Sequence, residues 1–287
     1  MNTLNKNFVI GAIIGDIAGS RFEFNAIKNK DFELLPIGKH YLDPKQPFNE
    51  YCSTCHFTDD TVMTIAVANA LLETNDDFNS VSKLVIKNMK YFGNKYPLAG
   101  YGAKFNTWLQ MPTTEPYNSY GNGSAMRISA VPYFAKNLDE VKLLSKLVTE
   151  VTHNHPEGIK GAEATAVCIW LAKNNYNKDY IKKYVEDHYY KLDFNYENLI
   201  KSYVHDESCQ NSVPQSIFAF LISNSYEDTI KTAISMGGDA DTMACIAGGI
   251  AAAYYGLPKN IEEKGLEFLP DEFKIILEKI KRRNKYE

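Results

Sequence analysis

The sequence predicts an all-α protein, and three observations carry that expectation. Long stretches place small and apolar residues at helical spacing. Strand signals are scarce, with no run of alternating β-branched and polar residues closed by a hairpin turn. A hydrophobic fraction of 45% and a charged fraction of 23% over 287 residues give a chain with a real core rather than a disordered one.

In chain order, Gly11, Gly15 and Gly19 recur every four residues in GAIIGDIAGS. On a helix they share one face, where a second backbone can approach closely. A phosphate loop would need a preceding strand and a Gly-Lys-Ser/Thr ending, so the spacing favours packing. Thr61–Glu73 sets Val62, Ile65, Ala66 and Ala70 on an apolar stripe, with Thr58 or Asp59 as its N-cap. Lys160–Lys173 and Pro214–Ser223 behave similarly. Asp241–Gly256 is almost wholly small and apolar, which predicts a buried central helix stopped at Gly256-Leu257-Pro258. The segment 174–212 is rich in Lys, Asn and Tyr and reads as peripheral helices or a surface insertion. The buried-helix pattern resumes after it without Pro/Gly/Ser spacers, so residues 1–287 read as one domain.

Lys plus Arg total 31 and Asp plus Glu 35, a net charge of −4. Apart from the tail Lys279–Lys285 there is no basic stripe, which argues against a nucleic-acid partner. The apolar runs Phe8–Ala18 and Met243–Tyr255 fall short of the ~20 residues of a spanning helix. Gly11–Gly19 continues directly into Arg21 and Glu23, unlike a signal peptide. Five cysteines do not suggest a secreted disulfide framework. The expectation is a soluble, cytoplasmic protein with no membrane partner. Cys52-Ser53-Thr54-Cys55-His56 lacks the second ligand pair a structural zinc site needs. Cys168 and Cys245 lie in apolar helices and read as core.

Two acidic clusters stand at the mouths of apolar helices: Thr58-Asp59-Asp60-Thr61 and Gly238-Asp239-Ala240-Asp241-Thr242. Paired carboxylates repel each other and are costly to bury without a cation. Hard divalent cations such as Mg²⁺ or Mn²⁺ prefer such oxygen ligands. N-capping accounts for either cluster alone but less well for both, and the closing Glu of a calcium loop is missing. The loop Asn118–Arg127 (NSYGNGSAMR) reads as an anion-binding turn, in which glycines expose amides and Ser119 and Asn122 donate hydrogen bonds. The plainer alternative is a Gly/Asn turn before a helix near Ala125. His153 and His155 are the notable histidines, with His155 equally well explained as a polar cap beside Pro156.

The ordered set Gly15-Asp16, Glu23, Phe57–Thr61, Gly100-Tyr101-Gly102, Ser119–Arg127, Thr152-His153 and Gly238–Thr242 resembles the ADP-ribosylglycohydrolase family, over about Phe8 to Pro258. The resemblance implies a compact orthogonal helical bundle with two divalent cations, Mg²⁺ or Mn²⁺, in a cleft. Thr58, Asp59 and Asp60 would hold one side of the metal pair, and Asp239, Asp241 and Thr242 the other. Glu23 matches an acid that family members carry on a mobile segment. Ser119, Tyr120, Gly121, Asn122, Gly123 and Ser124 would hold the phosphates and ribose of ADP-ribose. Ser124 stands where relatives often have Gly or Ala. Gly100, Gly102 and His153 would contact the same ligand.

The implied activity is hydrolysis at the anomeric carbon of ADP-ribose on a modified protein or a small ADP-ribose derivative, with Glu23 or Asp60 as general base. Similarity in compactness to the dinitrogenase reductase-activating branch favours ADP-ribosyl-arginine. The competing expectations are a hydrolase for ADP-ribosyl-serine or another acceptor, and a catalytically silent ADP-ribose-binding or structural protein on the same fold.

Overall fold

The computed structural model describes residues 6–36 and 54–283, and all regular structure among them is helical. In chain order the helices are α1 (Phe8–Gly19), α2 (Asp59–Glu73), α3 (Val81–Lys95), α4 (Ala103–Gln110), α5 (Gly123–Met126), α6 (Leu138–Thr149) and α7 (Pro156–Lys173). There follow α8 (Lys178–His188), α9 (Tyr196–Ser202), α10 (Cys209–Ile222), α11 (Tyr226–Ser235), α12 (Ala240–Tyr255), α13 (Lys259–Leu266) and α14 (Asp271–Arg283). None is long and apolar enough to cross a membrane. The one extended pairing among the described residues is the isolated bridge between Gly121 and Ser208.

The centre of the molecule is the pair α1 and α12. Every residue of α1 is buried, as is α12 from Ala240 to Ala253. Their backbones touch because both faces lack side chains. A Cβ on Gly15 would lie 2.1 Å from the Ala244 carbonyl oxygen, and one on Gly19 2.5 Å from the Ala240 carbonyl oxygen. Gly248 faces back in the same way, 2.5 Å from the Gly11 carbonyl oxygen. The four-residue glycine spacing is therefore a packing device. Tyr226 of α11 fastens the pair from the side, its hydroxyl donating to the Gly11 carbonyl at 2.7 Å.

Local chemistry sets where the helices begin. Thr58 caps α2, its hydroxyl accepting from the Asp60 amide, so the helix starts at Asp59. His155 caps α7 through Nδ1, which accepts from the Glu157 amide at 3.1 Å, and Pro156 fills the first position, where its missing N–H costs nothing. The α10 helix begins at Cys209 rather than Pro214. The proline sits inside it, beyond the first turn where prolines usually open a helix.

The segment 174–212 forms α8 and α9, which bury little: Ile181 and Val185 in α8 and nothing in α9. Its far end, however, turns back inward, and the Asn122 amide donates to the Glu207 carbonyl at 2.7 Å. Of the basic tail, residues 279–283 belong to α14, which seats Phe273 against Phe57 and Tyr96.

Candidate active site

The glycine contact decides what meets at the site. Asp16 follows Gly15 on α1, Asp60 lies in the first turn of α2, and Asp239 and Asp241 flank the start of α12. Close approach of α1 and α12 thus brings acids from three helices together. Asp16, Asp60 and Asp241 each place a carboxylate oxygen within 4.8 Å of the others, and so do Glu23, Asp239 and Asp241. Asp241 belongs to both groups.

Asp16 is wholly buried and saturated with donors. It accepts from the Thr58 amide at 3.0 Å, the Thr58 hydroxyl at 2.8 Å, the Thr61 amide at 3.1 Å and the Thr61 hydroxyl. Burial, then Asp241, nonetheless pushes its pKa up to about 7. Asp60 accepts from the Thr242 hydroxyl at 3.2 Å through Oδ2, while Oδ1 is buried with no partner. Burial and the charge of Asp241 hold Asp59, Asp60 and Asp239 well above the usual carboxylate range. The same causes raise Glu23 to about 9. No Lys or Arg among the described residues forms an ion pair with any of these six acids. An all-oxygen cluster with an orphaned Asp60 oxygen and no internal countercharge fits hard divalent cations, and a carboxylate common to both groups fits two.

The expected metal residues do not all stand in that cluster. Asp60, Asp239 and Asp241 do, and Thr242 supports Asp60. Thr58 spends its hydroxyl on Asp16 and does not line the cavity. Asp59 belongs to neither carboxylate group; its Oδ1 faces Gly100, 3.6 Å from where a Cβ would be. Asp16 was absent from the expected ligand set, although a lone acid in an otherwise apolar helix was its signal.

The acids open on a cavity of about 320 Å³. Glu23, Asp59, Asp60, Asp239 and Asp241 line it, together with Gly100, Gly102, Ser119, Gly121, Asn122, Gly123 and His153. Two expected ligand contacts lie elsewhere. Tyr120 points outward, half-exposed, with its ring against His155 at 5.3 Å. Ser124 is buried behind the loop, its hydroxyl donating to the Gly158 carbonyl at 2.8 Å, because the turn into α5 aims it at α7. Asn122 is also engaged differently from expectation. Its amide serves the Glu207 carbonyl and its side chain donates to Asp239 Oδ2 at 2.7 Å, so it ties the loop to the acid cluster.

Three charged lining residues, Lys104, Glu207 and Arg127, went unassigned in the sequence. Glu207 arrives from the polar segment 174–212, whose composition signals only a surface. Arg127 closes the loop motif and is 1% exposed; burial lowers its pKa to about 10. Burial also lowers the pKa of His153, assisted by Arg127. Of the cysteine motif, Cys52 lies outside the described residues, and burial raises the thiol of Cys55 to about 11.

The family model for ADP-ribosylglycohydrolase matches residues 6–283. The ADP-ribosylhydrolase ARH3 of Homo sapiens is 26% identical over 312 residues, covering 88% of this chain and 85% of that protein. The ARH3 of Gallus gallus is 27% identical over 316 residues, with the same shares. A putative ADP-ribosyl glycohydrolase, L543, of Acanthamoeba polyphaga mimivirus is 26% identical over 289 residues, covering 87% of this chain and 86% of the viral protein. A solved structure titled as an ADP-ribosylglycohydrolase-related protein complex superposes with a TM-score of 0.68 over 97% of this chain and 98% of its own, at 17% identity, which shows a common fold.

Proposed function

The chain belongs to the ADP-ribosylglycohydrolase family, and from that premise we propose that it releases ADP-ribose from a modified acceptor with two divalent cations, Mg²⁺ or Mn²⁺, gathered about Asp241. The observation that carries this is the pair of carboxylate groups joined at Asp241 on the wall of the cavity. Asp60, Asp239 and Asp241 hold the cations, with Asp59 and Thr242 beside them. Asp16 and Thr58 act one layer further out, fixing the first turn of α2. Bound cations supply an acidified water and stabilise charge developing on oxygen at the anomeric centre.

Glu23 is the better general base of the two expected acids. It is half-buried and faces the cavity, and cations on Asp241 would offset the negative charge that raises its pKa, so that the ionised carboxylate could take a proton from water and return it to the leaving group. Asp60 is almost fully buried and tied to Thr242, which suits a ligand. Ser119, Gly121, Gly123, Gly100, Gly102 and His153 line the space for ADP-ribose. The whole chain works as one domain in this reading. A reducing, cytoplasmic setting agrees with the free buried thiols of Cys55, Cys168, Cys209 and Cys245.

The arginine preference gains no support. The ARH3 relatives carry a general ADP-ribosylhydrolase name, and neither Asp16 nor Glu23 is spare to bind a guanidinium: Asp16 is saturated by Thr58 and Thr61, and Glu23 sits in the cluster. Asp59 and Glu207 are the lining acids outside it. Matched peptides carrying ADP-ribose on arginine and on serine test the reading, with and without chelator and beside Asp241→Asn. Release from either peptide that vanishes on chelation and in Asp241→Asn supports a metal-dependent hydrolase and assigns its acceptor. Tight ADP-ribose binding without release from any substrate makes the chain a silent binder instead.

A further inference from the structure

At the loop wall of the cavity Arg127, Thr152 and His153 form a polar chain, and the chemistry above uses neither Arg127 nor Thr152. Arg127 is buried, and no carboxylate among the described residues pairs with it. Its Nη2 donates to the Thr152 hydroxyl at 2.8 Å and lies 3.5 Å from the Val148 and Thr149 carbonyls. The Thr152 oxygen, also wholly buried, is 2.7 Å from His153 Nδ1. The His153 Nε2 edge faces the loop, 3.4 Å from where a Cβ on Gly123 would sit and 3.6 Å from one on Gly121.

The direction of each bond follows from the donor inventory. A guanidinium has no acceptor, so the Thr152 oxygen must receive the Arg127 bond. That leaves one hydroxyl proton, and a buried hydroxyl proton without an acceptor is costly. No acceptor other than His153 Nδ1 bonds this hydroxyl among the described residues. Nδ1 must then present its lone pair, and a neutral ring carries its proton on Nε2. An imidazolium would instead aim a second cationic donor at an oxygen already receiving one from Arg127.

We infer that Arg127 and Thr152 are positioning residues that fix His153 as the Nε2–H tautomer, so that it stands as a permanent neutral hydrogen-bond donor at the Gly121–Gly123 wall of the cavity. Such a donor suits a ligand oxygen, phosphate or hydroxyl, without adding a full charge beside the acid cluster. Glycine at 121 and 123 keeps the Nε2 edge uncovered. The tautomer is independent of the proposed function; its service to ADP-ribose rests on it.

Long-range ¹H–¹⁵N correlation of the imidazole resonances reads the tautomer directly in the ligand-free protein at neutral pH. The expected result is an unprotonated Nδ1 and a protonated Nε2. A protonated Nδ1 would overturn the inference, and this arm needs no variant. Thr152→Val should relax the ring toward a mixture of tautomers and weaken ADP-ribose binding by about three- to ten-fold, the worth of one hydrogen bond. Thr152→Ser should restore both, which a purely space-filling role for the side chain would not produce. A Thr152→Val protein that folds and keeps the Nε2–H signature unchanged refutes the relay. Failure of the parent protein to bind ADP-ribose counts against the function and leaves the tautomer result standing.

Discussion

Replacing Gly15 with alanine puts a methyl group 2.1 Å from the Ala244 carbonyl oxygen, 2.5 Å from its carbonyl carbon and 2.8 Å from the Cys245 amide nitrogen. Ordinary contact begins near 3.4 Å, so the closest pair is 1.3 Å too near. All three neighbours are backbone atoms of α12, and no rotamer change can relieve them; the two central helices must part. Overpacking of this kind costs about 1–3 kcal/mol or more, against a helix-propensity gain of roughly 1 kcal/mol for Gly to Ala. Because every clash is with backbone, the cost falls at the upper end of that range, and the expected net loss is about 2 kcal/mol. Gly249→Ala, on the facing helix α12, provides the comparison. Its methyl would meet the movable end of Ile169 at 3.2 Å and Ala12 at 3.5 Å, so propensity and crowding nearly cancel and stability should stay within about 1 kcal/mol. At about 2–4 °C per kcal/mol, thermal unfolding followed by circular dichroism separates the two variants. Because Asp16 is the next residue, Gly15→Ala should also retain metal less well. Equal melting temperatures for the two variants would refute the account of α1 against α12.

Asn122→Asp should weaken ADP-ribose binding, because it replaces the 2.7 Å bond to Asp239 with a second carboxylate and adds negative charge to the loop proposed to face the diphosphate; calorimetric titration with ADP-ribose at saturating Mn²⁺ measures this, and unchanged affinity would contradict the placement of the loop. In chelator, stability should fall as pH rises from about 4 to about 9. Asp16 rises from 3.8 to about 7 and Glu23 from 4.5 to about 9, so the folded chain holds protons the unfolded chain has already released. Melting temperatures across that window, flat or rising without metal, would count against the buried cluster. Adding Mg²⁺ or Mn²⁺ at neutral pH should raise the melting temperature of the parent protein and leave Asp241→Asn nearly unmoved, since only a chain that binds the cation when folded is stabilised by it.

Helical periodicity and the small-residue face of GAIIGDIAGS were legible because both are repeats within one element. Asp59, Asp60, Asp239 and Asp241 were legible because each lies within a residue or two of a helix start, where capping chemistry draws the eye. Pairings across the fold were not. Asn122 meets Asp239 across 117 residues, and its sequence neighbourhood suggests an anion loop with equal force. Ser124 looks like part of that loop until the turn into α5 rotates it toward Gly158. Glu207 is hidden by a lysine- and asparagine-rich surface segment, and nothing in its composition marks the point where the chain turns inward. Asp16 shows in the sequence as an acid in an apolar run, but its four donors come from the cap and first turn of α2, so its place as a buttress appears only when the helices are assembled.

The bond from Asn122 to Asp239 has a thermodynamic corollary. One end of it belongs to the loop proposed to face ADP-ribose and the other to the acids proposed to hold cations. If a cation at Asp239 changes the affinity of the loop for the nucleotide by some factor, the nucleotide must change the affinity for that cation by the same factor. Neither ligand can then be ranked as cofactor first and substrate second from affinity alone. Measured at limiting cation, a nucleotide binding constant for this protein would report the pair, and the single amide of Asn122 sets part of the exchange rate between them.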